Sequence, residues 1–505
     1  MDKVSFELIL LVVDHLEGPL APYATISRTW QCMIESRTFA QVSVESNTMD
    51  LFETAFAPAQ ARRRQTLRWL DYQVKMPSNE HERPDYMRDF AVFRQSLGTL
   101  LRYLATWEVT DTPFELSLKH NPAYDHHLYA SRRRWIREDE EARSAGRCLT
   151  LRDLRISGLP TVLCVSNLFW CHSYSRSMKA NTIYYISGCF LALERLHLEC
   201  YDSPKKPHNL RRECRTVLAD GINSLQSLPR LKKLQIIDRG VFDYQNHSAV
   251  LQDFRDDQRV DVLCEALRRL AQAGILEELE LENVLVSADL FRDARLVPNE
   301  ADVTSWPSLQ RLRIAGGIEA PDGTWYWTGD PAAVRPARVI SPECADELWL
   351  DGESEPDSED EDDRGHHWRI TPDPKTYNPL ALAFADAVLR TPRLKTARLE
   401  IGKHSDDVMT SVLECAEAGQ SLEWDSYIAD TTPSSSSSLG SSGGYRRWRM
   451  NVDKRAGWEP PDDLLAKWKE WVGPNGAAGV VAFERAPFRA PGALKFFFER
   501  YYKPV

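Results

Sequence analysis

Few residues in this chain have the types and spacings that catalysis requires. His126-His127 and His366-His367 come nearest to metal ligands. Neither pair has a partner four residues on or a neighbouring Cys/Glu set, so both read as loop histidines. Cys171-His172 places a thiol beside an imidazole, but adjacency in sequence says nothing about a nucleophile facing its base. Gly473-Pro-Asn-Gly476-Ala-Ala-Gly479 precedes the apolar run Val480-Val481-Ala482, whereas a phosphate-cradling loop follows its strand. Asn475-Gly476 suits a turn better. Three clusters carry cations, and two of them rings, that suit phosphate and bases: Arg62-Arg63-Arg64, Arg132-Arg133-Arg134-Trp135 and Tyr445-Arg446-Arg447-Trp448-Arg449. Such clusters are more often solvated faces. The residues offer no catalytic, cofactor or metal site. The chain reads as a non-enzymatic protein with no cofactor and no nucleic-acid partner.

A different spacing does recur. Leu151-Arg-Asp-Leu154-Arg-Ile156, Leu193-Glu-Arg-Leu196-His-Leu198, Leu231-Lys-Lys-Leu234-Gln-Ile236, Leu276-Glu-Glu-Leu279-Glu-Leu281 and Leu309-Gln-Arg-Leu312-Arg-Ile314 share one pattern, and Leu394-Lys-Thr-Ala397-Arg-Leu399 is a weaker sixth. The last three positions alternate apolar, polar, apolar, which predicts short half-buried strands. One such strand cannot bury its apolar face alone, but six side by side can. Helical patterns over Phe90–Trp107, Arg211–Leu225, Val260–Ala273 and Leu380–Arg390 precede strands, and Leu67–Tyr72 and Phe114–Leu118 read as further degenerate copies. The pattern resembles the leucine-rich-repeat family, whose period is about 20–29 residues. Here successive copies start 42, 38, 45, 33 and 85 residues apart. The resemblance therefore implies an α/β fold: an irregular leucine-rich-repeat-like solenoid of parallel strands.

In parallel register the polar residues flanking each second leucine share one face. The rows are Asp153/Arg155, Arg195/His197, Lys233/Gln235, Glu278/Glu280, Arg311/Arg313 and Thr396/Arg398. This mixed-charge face is the candidate surface for a protein substrate. Its charges also suit one another, with Glu278 and Glu280 between Lys233 and Arg311/Arg313. If the surface reads a substrate, reversing Glu278 and Glu280 to lysine removes substrate binding and leaves any docking through residues 1–40 intact.

At 505 residues the chain exceeds one small core. No apolar run is long enough to span a bilayer, and Leu8–Val13 lacks the flanks of a signal peptide. Ten scattered cysteines without a C-x-x-C pair suit a reducing compartment, cytoplasmic or nuclear. Of the net charge of −11, nine acidic residues lie in Asp351–Asp363. That run should stay solvated and disordered, and Ser354 and Ser358 there have the acid spacing some kinases accept. Removing it leaves a nearly neutral protein, without the field that nucleic acid or anionic membrane would attract. The expected organisation is helices over 1–40, repeats over 41–430 with the acidic insert at 351–366, a Ser/Gly linker over 431–444, and a Trp-rich cap over 445–505 with a helix at Pro460–Trp471.

The first forty residues form three short helical pieces: Phe6–Leu16, broken by Gly18-Pro19, then Leu20–Ser27, then Arg28–Ser36. Val4-Ser5-Phe6-Glu7-Leu8, Val12, Leu16, Leu20, Tyr23 and Ile26-Ser27-Arg28-Thr29-Trp30 resemble an F-box, with Val4 and Ser5 where that family has Leu-Pro. The resemblance implies docking on the adaptor of a cullin-based ubiquitin ligase through Val4, Leu8, Ile9, Val12, Leu16, Leu20 and Trp30. The chain would then be a substrate receptor of an SCF-type ligase, with the cullin as an indirect partner. The other reading is a leucine-rich interaction scaffold whose N-terminal helices only cap the core.

Overall fold

A computed structural model describes residues 6–76, 86–107, 113–122, 159–170, 180–200, 208–239, 250–293, 295, 305–330, 368–402, 410–422, 445–453 and 458–483. The protein is α/β, with a large and mostly parallel sheet. It divides into two compact units: Met1–Phe242 with Phe254–Arg313 and Arg390–Leu394, and Asp243–Asp253 with Ile314–Leu389 and Lys395–Val505. The division falls inside the stretch expected to be repeats, and residues 1–40 belong to the first unit. The acidic run, the Ser/Gly stretch, the first hexapeptide Leu151–Ile156 and both histidine pairs lie outside the described residues.

The first unit opens with helices α1 (Phe6–His15) and α2 (Arg28–Thr38), joined through a 3-10 turn at Ala21–Thr25. Strand β1 (Gln41–Glu45), helices α3 (Met49–Ala55) and α4 (Ala61–Thr66), strand β2 (Trp69–Met76), helix α5 (Tyr86–Leu104) and strands β3 (Phe114–Pro122) and β4 (Val165–Trp170) follow. Then come α6 (Ala180–Ser187), β5 (Arg195–Cys200), α7 (His208–Ser224), β6 (Lys233–Asp238), α8 (Val262–Gln272) and β7 (Glu278–Glu282). The seven strands lie in sequence order, every neighbouring pair parallel.

Register places Val42, Leu70, Leu116, Leu168, Leu196, Leu234 and Leu279 side by side. Two residues on, Val44, Tyr72, Leu118, Trp170, Leu198, Ile236 and Leu281 form a second row. All but Val42 are buried. The leading leucines Leu193, Leu231, Leu276 and Leu309 are fully buried too. A backbone signature accompanies them. The N–H groups of Lys232 and Lys233 share the Glu194 carbonyl, those of Glu277 and Glu278 the Lys232 carbonyl, and those of Gln310 and Arg311 the Glu277 carbonyl. Each copy thus registers on the last at the same point, and strand β8 (Arg311–Gly316) begins in phase with β7.

Helices cover the leucine rows. Tyr72 donates its hydroxyl to the Ser96 carbonyl of α5, and Trp170 meets Phe93 of that helix edge-on. Helix α6 packs on α7 and α7 on α8. Helix α8 buries Leu263, Ala266, Leu267, Leu270 and Ala271, a stripe at helical spacing. The strand beside β5 is β4, Val165–Trp170, which lacks the hexapeptide pattern. The neighbours of Arg195 and His197 are therefore Asn167 and Phe169, where the sequence pattern suggests Asp153 and Arg155.

In the second unit strands β9 (Trp327–Thr328) and β10 (Thr371–Pro372) form a small antiparallel pair. Helix α9 (Tyr377–Arg390) precedes strands β11 (Thr396–Gly402), β12 (Thr410–Ala416) and β13 (Arg447–Asp453). Helix α10 (Asp462–Val472) and strand β14 (Ala477–Phe483) complete it. The β11–β12 and β12–β13 pairs are antiparallel and β13–β14 parallel, so the sixth hexapeptide leads into antiparallel pairing that the repeat pattern does not anticipate. The region expected to be a Trp-rich cap contributes strands β13 and β14, core side chains, and helix α10 where a helix over Pro460–Trp471 is expected. Trp448 of β13 stacks on Trp468 of α10 at 5.2 Å and meets Phe384 of α9 edge-on. Residues 474–475 form a turn, closed by the Gly476 N–H on the Gly473 carbonyl, where Asn475-Gly476 leads one to expect it.

Asp261 ties the helices of the first unit together. It heads α8, accepting from the N–H groups of Leu263 and Cys264. Arg215 of α7 grips it with two bonds of 3.0 and 2.8 Å and also donates to the Leu285 carbonyl. Burial alone would raise the Asp261 pKa, but the Arg215 charge and these hydrogen bonds hold it below the ordinary value of 3.8. Breaking a buried pair from one side costs about 3–5 kcal/mol, so Asp261→Ala should lower the unfolding free energy by that order in a urea titration. The pair stabilises the fold above pH 3.8. As pH falls through the lower folded value the carboxylate protonates and that contribution is lost, so wild type and variant should converge in acid.

Candidate protein-binding face

Because side chains alternate along a strand, burying the leucine rows sends every intervening residue to the opposite face. In the first unit that face carries Trp69, Glu115, Asn167, Arg195, Lys233 and Glu278 in one row. The next holds Asp71, Ser117, Phe169, His197, Gln235 and Glu280. The sequence pattern foresees the right-hand half of these rows and misses the left. Trp69 and Glu115 lie in strands read as degenerate copies, and extending the rows back through them would find both residues. Phe169 and Asn167 carry no such signal.

The right-hand half is largely self-paired. Lys233 reaches Glu278 at 3.0 Å and Glu280 at 3.1 Å. Arg239 binds Glu199 at 2.7 Å, and His197 lies 2.9 Å from Gln235 through Nδ1 and 3.8 Å from Glu199 through Nε2. Burial favours the neutral form of Glu199, but the nearby His197 and the Arg239 bonds and charge outweigh it and lower its pKa. His197 and Glu280 are buried, Lys233, Glu278 and Arg313 half-buried, and only Arg195 and Arg311 exposed. Arg155 lies outside the described residues. Arg398, in the sixth row, is gripped by Glu400 at 2.8 Å and Glu414 at 2.7 Å in the second unit.

The left-hand half is different. Ser117 is small, so Trp69 of β2 and Phe169 of β4 reach across β3 to within 6.4 Å of each other. Phe169 stacks on His197 at 3.9 Å. Both Trp69 and Phe169 stay half-exposed on a face that is otherwise polar. Half-buried aromatic rings of this kind are the usual anchors of protein interfaces. Beside them Glu115 accepts one long bond, 3.4 Å, from Asn167. Burial pushes its pKa up, against the pull of Asn167, Arg195 and His197.

A second candidate surface lies on the N-terminal helices. Ile9, Val13, Met33 and Ile34 form their small core, against which Leu16, Leu20, Tyr23, Ala24 and Trp30 pack. Leu8, Leu11, Val12 and Ile26 remain 54%, 55%, 46% and 45% exposed. Of the residues expected to dock an adaptor, Leu8 and Val12 therefore face outward. Ile9 faces inward and is closed to a partner, because it completes the hairpin's own core. Leu16, Leu20 and Trp30 are half-buried supports, and Val4 lies outside the described residues.

The basic clusters serve the fold. Arg62 and Arg63 bind Glu35 of α2, and Arg63 also covers Phe39. Arg64 donates to the Phe56 carbonyl and lies over Trp107. Arg446 covers Trp471 and binds Glu417, while Arg447 and Trp448 are buried. Arg132–Trp135 and Cys171-His172 lie outside the described residues. Among the described residues no three His, Cys, Asp or Glu side chains are grouped to hold a metal, and no helix is long and apolar enough to cross a membrane. No protein-family model matches the chain, and no curated protein matches it.

The pairing around Lys233 changes what a charge reversal would report. Glu280→Lys breaks a partly buried pair and sets two cations together, so it should cost about 1–3 kcal/mol in chemical denaturation. Glu278→Lys, at a more exposed carboxylate, should cost less than about 1 kcal/mol. Only the second is a clean probe of binding.

Proposed function

We propose that this protein is a non-enzymatic substrate receptor of an SCF-type cullin-RING ubiquitin ligase. In this reading the fold is an irregular leucine-rich-repeat-like solenoid carrying an F-box-like helical unit at its N-terminus. Helices α1 and α2 dock the adaptor, and the polar face of the first unit holds a protein substrate. Ubiquitin transfer is promoted by proximity, with no catalytic residue from this chain. The protein works in the cytoplasm or nucleus, where that machinery operates.

The observation that carries the reading is the apolar stripe of Leu8, Leu11 and Val12 with Ile26, left uncovered by a hairpin whose core is otherwise complete. Large apolar side chains exposed together on one helix face mark a place where another chain belongs. A second reading, an interaction scaffold with no ligase role, draws on the Glu35 ion pairs to Arg62 and Arg63. They fasten α2 to α4, as a capping element would be fastened.

The double substitution Leu8→Glu/Val12→Glu in the full chain separates the two. Both positions are exposed, so the unfolding free energy should stay within about 0.5 kcal/mol of wild type. Wild type should capture purified adaptor in a pull-down, and the variant should lose at least tenfold in affinity. Capture by neither protein, or equally by both, removes the ligase reading and leaves the scaffold.

A further inference from the structure

We propose that the exposed side of the Trp69–Phe169 ring pair, beside Glu115, receives an arginine side chain of the bound protein. The guanidinium lies against the two rings and the Glu115 carboxylate. This rests on the reading of the polar face as a protein-binding surface and names the chemistry it selects.

The left-hand half of the face lacks donors. Glu115 makes no ion pair among the described residues, and its one bond, from the Asn167 amide, is long at 3.4 Å. Arg195, in the same row, stands two strands away, about 9–10 Å at ordinary strand spacing. It acts on the carboxylate through space without reaching it. Diagonally placed, Asp71 gives one oxygen to Lys119 at 2.9 Å while its other, buried oxygen has no donor. Ser117, fully buried between Asp71 and Phe169, has no hydrogen-bond partner for its hydroxyl. Of these acceptors Glu115 is the one open to a partner, beside two half-exposed aromatic rings, while the Ser117 and Asp71 oxygens are closed off by burial.

Arginine answers both features at once. Its guanidinium brings five N–H donors in a planar fork, and the same plane stacks on aromatic faces. Lysine supplies the charge but neither the plane nor the fork. A phosphate or an acidic segment would meet Glu115 and Asp71 as like charges. The right-hand half cannot compete for the cation, because its carboxylates Glu278 and Glu280 are already held by Lys233.

An array of short peptides tests this, with random flanks and arginine, lysine, citrulline or glutamate fixed at the centre. It is probed with the full-length protein. Arginine peptides should bind most strongly, and citrulline, the same shape without the charge, about tenfold less. Glu115→Gln and Trp69→Ala should each bring the arginine signal near the citrulline level. Arg102→Ala, exposed on helix α5 on the other side of the sheet, should leave it unchanged. The arginine signal should also weaken in acid as Glu115 protonates. Arg195, in the Glu115 row, Lys119, bound to Asp71, and His197, stacked on Phe169, are the other charged or titratable side chains on this part of the face. No arginine preference, or an undiminished signal in Glu115→Gln, overturns the proposal. So does a preference for glutamate, which would assign the face to Arg195 and Arg311. Loss of adaptor capture leaves the array result untouched, so the two readings fail separately.

Discussion

Parallel pairing in strict sequence order, with leucines stacked on leucines, is the constraint from which the rest of the first unit follows. A fully buried leucine contributes about 1.5–3 kcal/mol relative to an exposed one. A slip of one residue in any strand would turn its whole apolar set to the polar face. Register is therefore held at each strand by several such residues at once. The repeated sharing of one carbonyl by two successive N–H groups fixes where β2, β6, β7 and β8 begin. The polar face is a by-product of this arrangement, since its residues stand where the leucines force them to stand.

That face is uneven in a way that bears on its use. Where charges are dense, around Lys233, Glu278, Glu280, Glu199 and Arg239, they satisfy one another. Where charges are sparse, around Trp69, Glu115, Ser117 and Phe169, rings and acceptors are left with unmet demands. Charge density thus marks internal stability here, and the poorly charged half marks the place with something to gain from a partner. The same distinction applies to the described arginine clusters, whose cations are taken up by the protein's own ion pairs and ring contacts.

The N-terminal helices show a related asymmetry. Their core of Ile9, Val13, Met33 and Ile34 is too small to use every apolar residue on α1. The exposure of Leu8, Leu11 and Val12 follows from that shortage, because a helix apolar nearly all round needs partners on more than one side. In the second unit no such surplus arises among the described C-terminal tryptophans: Trp448, Trp468 and Trp471 are taken up in packing α10 onto its strands.

Much of the architecture was legible in the chain itself. The Leu-x-x-Leu-x-Leu hexapeptides from Leu193 to Ile314, the helices between them and the three-piece N-terminal hairpin all announce themselves through local periodicity, which depends only on neighbours in sequence. The polar rows at Arg195, Lys233, Glu278 and Arg311 follow from the same alternation. Tertiary structure decided what periodicity cannot carry. It made Val165–Trp170 the strand beside β5, turned the sixth copy into antiparallel pairing, and sent Ile9 inward while Leu8 faced out. It also brought Trp69 and Phe169 together across a serine, 100 residues apart in the chain. These outcomes depend on which strands become neighbours and how much space lies between them, quantities set by the packing of the whole unit and written in no single stretch of it.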